Sequence, residues 1–212
     1  MTITWDWVPN NAGLLAVTAL DHLVLTLVAV GVGLVLSFSL ALLIVRDPRS
    51  SGPILGIAGI LYTIPSLALF ALLVPITGLT ALTAEIGLVS YTLLILIRNI
   101  VAGFDSVAPD IREAADAMGY TPLGRLLRVE LPLAVPLIVA GLRIATVTTI
   151  GLVMVTALIG EGGLGQLTLR GFNLQNWAEV YSSSIVTVVL AVVADGALVI
   201  GGRLATPWSR GL

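Results

Sequence analysis

Residues Asp110 to Pro132 read DIREAADAMGYTPLGRLLRVELP, the longest charged passage in a chain with a charged content of 10%. Two helix starts are legible in it. Asp110 followed by Glu113 gives a D-x-x-E capping pattern, with Pro109 just outside. Thr121 followed by Pro122 sets a hydroxyl at an N-cap and a proline at the first helical position. Between them Gly119 can take a left-handed position that stops the first helix and turns the chain. The expectation is a short helix, a tight corner and a second short helix, closed by Leu131-Pro132 before an apolar run. Two charged helical pieces between membrane spans make a docking surface.

The rest of the chain is oily. Of 212 residues, 58% are hydrophobic and the mean hydropathy is +1.08, whereas soluble domains are about 25% charged. The class is integral membrane, and the length suits a bundle of about five spans of roughly 20 residues each. The fold class expected is therefore all-α and polytopic. A net charge of −2 favours neither nucleic acid nor a basic membrane-surface role. There is no cysteine, which excludes disulfides, thiolate metal sites and a cysteine nucleophile. All ten basic residues are arginine. A P-loop needs a lysine on the nucleotide phosphates, so if ATP drives this chain, another subunit binds it.

Taken in order, residues 1–20 carry Trp5 and Trp7, which fit an interfacial belt, and no basic segment of a cleavable signal. His22, the single histidine, sits at the mouth of the first span, Leu23 to Val45, and reads as an interfacial polar residue. A second helix is expected from Pro53 to Val74, a turn at Pro75–Gly78 and a re-entry near Leu79 to Ala84. Tyr62, Thr63, Pro65 and Ser66 place a proline kink in mid-membrane, read either as packing or as a pathway lining. The third and fourth spans run from Ile86 to Phe104 and from Leu133 to Leu158. Gly160 to Gly165 lacks the lysine and flanking strand of a phosphate cradle and reads as a flexible external loop. A polar segment with a short helix precedes a fifth span, Glu179 to Gly202.

Five spans collect Arg46, Arg49, Arg112, Arg125, Arg128, Arg203 and Arg210 on one side and leave Arg170 in a loop on the other. The positive-inside rule makes the first side cytoplasmic and the N-terminus external. The domain expectation is one membrane unit, 1–212, with an external segment 1–20, a cytoplasmic loop 105–132 and an external loop 160–178. Arg98, Arg143 and Asp195 fall within spans, where charges must face protein or water. Pairing of Asp195 with Arg98 or Arg143 would neutralise the interior.

Glu113-Ala114-Ala115, three residues, Gly119, nine residues, then Val129-Glu130-Leu131-Pro132 resembles the EAA loop of ABC importer permeases of type I, with valine for the usual isoleucine. Thr63 to Leu69, Ile97-Arg98-Asn99 and Ala157 to Gly165 are similar to pieces of the osmoprotectant branch, which imports glycine betaine, carnitine or choline. The resemblance implies a five-helix permease in the cell membrane of a prokaryote, without an ATPase site of its own. It also implies a second permease, identical or paralogous, two cytoplasmic ATPases that bind ATP and Mg, and an external binding protein. Glu113, Ala114, Ala115, Gly119, Leu131 and Pro132 then form the ATPase-coupling element, with Ala114 and Ala115 keeping its face small enough for docking. Tyr62, Thr63, Pro65, Ser66 and Met154 are the pathway candidates. Recognition of a quaternary ammonium needs an aromatic cage, and aromatics are only 6% of the chain, so selectivity rests mainly with the binding protein.

Three rivals remain at this stage. A secondary transporter or channel would show an internal repeat and intramembrane carboxylates suited to ion coupling. A membrane enzyme would need paired aspartates, a Ser/His pair or a metal cluster within the spans. A permease for another small solute, such as methionine or another amino acid, differs only in the branch-specific words.

Overall fold

In the computed structural model residues 5–208 are described; Arg210 lies outside them. After a single turn, α1 (Trp7–Asn10), helix α2 runs unbroken from Ala12 to Arg46. Its 35 residues reach about 52 Å at the standard rise, against a hydrocarbon core of about 30 Å. The helix starts well before Leu23 because its buried face is continuous: Leu15, His22, Ala29, Gly33, Ser37, Ala41 and Ile44 recur at helical spacing. His22 is completely buried on that face, with Nε2 2.9 Å from the Ile150 carbonyl oxygen, so it is a packing residue and not an interfacial one.

Helix α3 (Ser51–Thr63), entered through a 3-10 turn at Pro48–Ser50, and α4 (Ser66–Thr77) take the place of the expected kinked helix. The two pieces meet at 98°. Pro65 has no N–H to give, and the residue before a proline is driven to extended geometry; Ile64 accordingly sits at φ −64°, ψ 126°. The carbonyl of Ile64 accepts a hydrogen bond from the Tyr91 hydroxyl, and Tyr62 packs edge-on against the same ring. The turn expected at Pro75–Gly78 falls at Gly78, φ +78°, and no re-entry follows. Thr80 instead caps α5, which is continuous from Ala81 to Asp105.

Helices α2 and α5 run parallel. Leu25 and Ala29 share a cluster with Ala84 and Leu88, while Ala41 shares one with Leu96, Ile100 and Phe104. Between them Gly33 lies so close that a Cβ would stand 1.9 Å from the Thr92 hydroxyl oxygen. Arg46 and Asp105 therefore share one end of the bundle, and α3 with α4 must carry the chain from that end to the other. The bent pair is one crossing. Four continuous helices and this pair make five passages, the upper count that length and hydropathy allow.

After the charged loop, α8 (Leu131–Val153) returns antiparallel to α5: Gly103 abuts Ala134, Gly141 abuts Asn99 and Val153 packs with Leu88. A 3-10 turn, Val155–Ile159, leads into the glycine-rich segment and α9 (Leu164–Asn173); α10 (Trp177–Ala205) is the last passage. The segment Gly160–Gly165 is not a flexible loop. Gly162 to Gly165 are buried, and a Cβ on Gly163 would sit 2.5 Å from the Thr18 carbonyl oxygen and 2.6 Å from the His22 nitrogen. These glycines let α9 and the end of α8 press onto backbone that cannot yield. Gly163→Ala should cost about 2 kcal/mol or more, the usual scale of overpacking, read as a lower thermal unfolding midpoint in detergent; Gly151→Ala, with open space around it, should leave the midpoint unchanged.

Candidate functional site

Helix α6 (Pro109–Ala117) opens the charged loop. Ala108 is its N-cap and Pro109 its first residue, with no side-chain cap bond, so Asp110 sits in the first turn instead of capping it. An aspartate there still meets the positive end of the helix dipole. The corner follows the sequence expectation. Gly119 has φ +82°, the Gly119 N–H donates to the Asp116 carbonyl at 2.9 Å, and the Tyr120 N–H donates to the Ala115 carbonyl at 3.2 Å. This paired pattern is the Schellman motif, which needs a left-handed residue at that position. Thr121 then accepts from the Gly124 N–H at 3.1 Å and caps α7 (Pro122–Arg125).

The second helix does not close at Leu131-Pro132. Helix α7 passes through a π turn, Leu126–Glu130, straight into α8. Pro132 lies in the first turn of α8. Ala115 is fully buried and turns inward, so its small size serves packing within the chain. Glu113, Ala114 and Gly119 are exposed. Met118, Leu123 and Leu127 add an apolar outer surface, 70%, 63% and 52% exposed. Met118, Gly119, Thr121, Leu123 and Leu127 border a shallow groove of about 530 Å³.

Beneath this surface lies a charge network. Glu130, 4% exposed, accepts from Arg125 Nε at 2.7 Å and stands 3.7 Å from Arg112 Nε. Arg125 also reaches Asp116 at 2.5 Å, and Arg112 donates to the Phe104 carbonyl at 2.6 Å.

Within the bundle Asp195 pairs with Arg143, two parallel contacts of 2.8 and 2.9 Å between α8 and α10. Arg98 is not its partner: it is exposed on α5, one turn before exposed Ala102. Of the pathway candidates, Tyr62, Thr63 and Pro65 are exposed at the α3–α4 break and Ser66 is half-buried. Met154 lies apart from them, packed with Leu15, Leu164 and Leu167, and its sulfur accepts from the Thr187 hydroxyl at 3.4 Å. Among the described residues no group of three histidines or carboxylates could hold a metal.

Residues 18–202 match the family model described as the inner membrane component of binding-protein-dependent transport systems. The chain belongs to that family. It is an ABC importer permease of type I, of the EAA-loop group, and is closely related to osmoprotectant permeases. The osmoprotectant import permease OsmW of Salmonella typhimurium strain LT2 is 38% identical over 91% of this chain and 92% of its own. The choline transport permease OpuBB of Bacillus subtilis strain 168 is 33% identical over 95% of this chain and 93% of its own. The fold is that of the MetNI methionine ABC transporter in an inward-facing crystal structure, with a TM-score of 0.83 over 92% of this chain and 97% of that one, at 22% identity. As a member of this family the chain is a multi-pass membrane subunit. It works with a paired permease, ATPase subunits that handle ATP and Mg, and an external binding protein.

Several residues of this permease carried no signal that isolated them in the sequence. Glu130 is one charged residue in a charged loop. Glu179, 1% exposed, pairs with Arg170 at 2.6 Å; both stand at helix ends, where charges are ordinary. Glu85 opens α5 and keeps one buried carboxylate oxygen without a partner among the described residues. Asp195→Leu and Arg143→Leu should each lower stability, and the double variant should be less destabilised than the sum of the two single changes. Unfolding in detergent measures the cycle, and Arg98→Leu should show no coupling to either partner.

Proposed function

We propose that this permease imports an osmoprotectant such as glycine betaine, carnitine or choline, handed over by the binding protein, and that the Asp110–Pro132 loop is its contact with the ATPases. The exposed apolar surface beside Gly119, on the bundle end that carries Arg46, Arg49, Arg112, Arg125, Arg128 and Arg203, is the observation that carries the second half. Positive charge concentrates on the cytoplasmic side of membrane proteins, so that end is cytoplasmic and the N-terminus external. The whole of 1–212 is one permease domain, with loop 105–132 inside and segments 1–20 and 160–178 outside. Glu113, Ala114 and Gly119 face the ATPase, while Ala115, Leu131 and Pro132 hold the loop's frame.

The solute class is supported by the two relatives and by the sequence words at Thr63, Ile97 and Ala157. Its route passes the α3–α4 break, where a helix interrupted at membrane depth is tolerated only against protein or water. Tyr62, Thr63, Pro65 and Ser66 line that route. Met154 follows Val153, which packs with Leu88, one turn from Tyr91, so it sits at a neighbouring level.

Ala114→Arg changes an exposed side chain and leaves the interior untouched. It should abolish co-purification of the ATPase from mildly extracted membranes, whereas native permease retains it; equal recovery would rule out the docking surface. A cysteine at Met118, in a chain that has none, should react with an impermeant maleimide in inverted vesicles and stay unlabelled in intact cells. Uptake of labelled glycine betaine should be competed by choline or carnitine and not by methionine; competition by methionine alone would replace the solute class.

A further inference from the structure

We propose that Glu130 is a positioning residue that locks α6 to the bundle, so that a displacement of the docking loop reaches α5 and α8 as one rigid movement. This rests on the reading of the loop as the ATPase contact. The carboxylate stands in the π turn immediately before α8, 4% exposed. Both of its arginines come with a second hold. Arg112, early in α6, donates to the Phe104 carbonyl in the last turn of α5. Arg125, in α7, meets Asp116 in the last turn of α6. One side chain thus joins the end of α5, both ends of α6 and the start of α8. The end of α5 already packs on the start of α8 through Gly103, Phe104 and Ala134, whereas α6 is joined to them in the chain only by the short turns around Val107 and Gly119.

An apolar residue at this position would bury as well and would let α6 slide. Buried ion pairs add little net stability because desolvation offsets the attraction, but their contacts are directional. Hydrogen bonds from Arg112 to Phe104 and from Arg125 to Asp116 and Glu130, with the 3.7 Å ion pair of Glu130 and Arg112, hold both ends of α6 against α5 and α8. Coupling between sites requires an element that changes state as a unit, and this network makes α6 and the two helix ends such a unit.

The test compares native permease, Glu130→Gln and Glu130→Asp, reconstituted in nanodiscs with the ATPase subunits and the binding protein. Three quantities are read: the amount of ATPase bound, the stimulation of ATP hydrolysis by loaded binding protein, and a spin-label distance. The labels go on cysteines introduced at Ala117 and Leu133, both exposed. Glu130→Gln should bind ATPase as native does, lose stimulation by about ten-fold, within the usual range of coupling effects, and broaden the distance distribution. Glu130→Asp should restore most of the stimulation and the narrow distribution. Native stimulation with a narrow distribution in Glu130→Gln would overturn the proposal, as would loss of bound ATPase in step with stimulation that Glu130→Asp leaves uncorrected. If Glu130→Gln yields no folded protein, Arg112→Gln, which removes the longer contact and the hold on α5, should broaden the distances; unchanged distances there would equally overturn it. If even native permease binds no ATPase, the docking reading fails by itself, and the label distances still decide whether Glu130 fixes α6.

Discussion

No backbone N–H or carbonyl can be left bare in hydrocarbon, where an unpaired amide costs roughly 2–7 kcal/mol. The departures from a straight helix within the membrane-spanning part are shaped by that penalty. The break at Pro65 is the clearest case. The proline ends one helix and turns the next through a right angle, and the carbonyl it strands is taken by the Tyr91 hydroxyl from α5. Tyr91 supplies that donor from α5, which runs antiparallel to the α3–α4 pair. The 3-10 turn and glycine segment after α8 solve the same problem by burial, with Thr156 donating to the Val153 carbonyl at 2.8 Å.

Helix contacts in this bundle are made at small residues. Gly33 under Thr92, Gly87 under the Phe70 ring, Gly141 under Asn99 and Gly202 under Val139 each let a neighbouring side chain lie directly on helix backbone, and at Gly103 the main chain of Ala134 itself comes into contact. Lipid tails are as apolar as leucine side chains, so association in a membrane relies on such packing more than on hydrophobic burial. The outer faces can therefore remain almost uniformly aliphatic. On α10 Val188, Val192 and Ile200 are all more than half exposed, as a lipid-facing or partner-facing helix requires.

Much of this was legible in the sequence, for physical reasons that differ from element to element. The spans showed in hydropathy, and the corner at Gly119 showed because a left-handed glycine followed by Thr-Pro has few other uses. Pro65 marked the right place, yet its consequence was underestimated: a kink and a right-angled break begin with the same lost hydrogen bond, and only Tyr91, 26 residues on, decides between them. His22 and the glycine segment depart from the sequence expectation together. Each looks polar or loose in isolation, and each is buried because the other covers it. Asp195 was known to need a cation; which arginine answered depended on helix rotation, which short-range pattern does not report. Glu130 was invisible as a site because a charged residue in a charged loop is unremarkable until its burial is seen.

The π turn at Leu126–Glu130 has a consequence for how such loops diversify. A π turn holds one residue more than an α turn, so it absorbs that residue within a single turn and avoids the rotation of about 100° that a residue added to a regular α-helix imposes. Losing one residue between Leu126 and Glu130 would leave α8 a seamless helix in the same membrane position, with the same buried contacts. It would also leave α6 and its outer surface near their present angle, because the α turn that replaces the π turn covers almost the same rotation with one residue fewer. This turn is thus a place where a permease lineage can gain or lose one residue while its transmembrane packing and the direction of its cytoplasmic face both stay as they were.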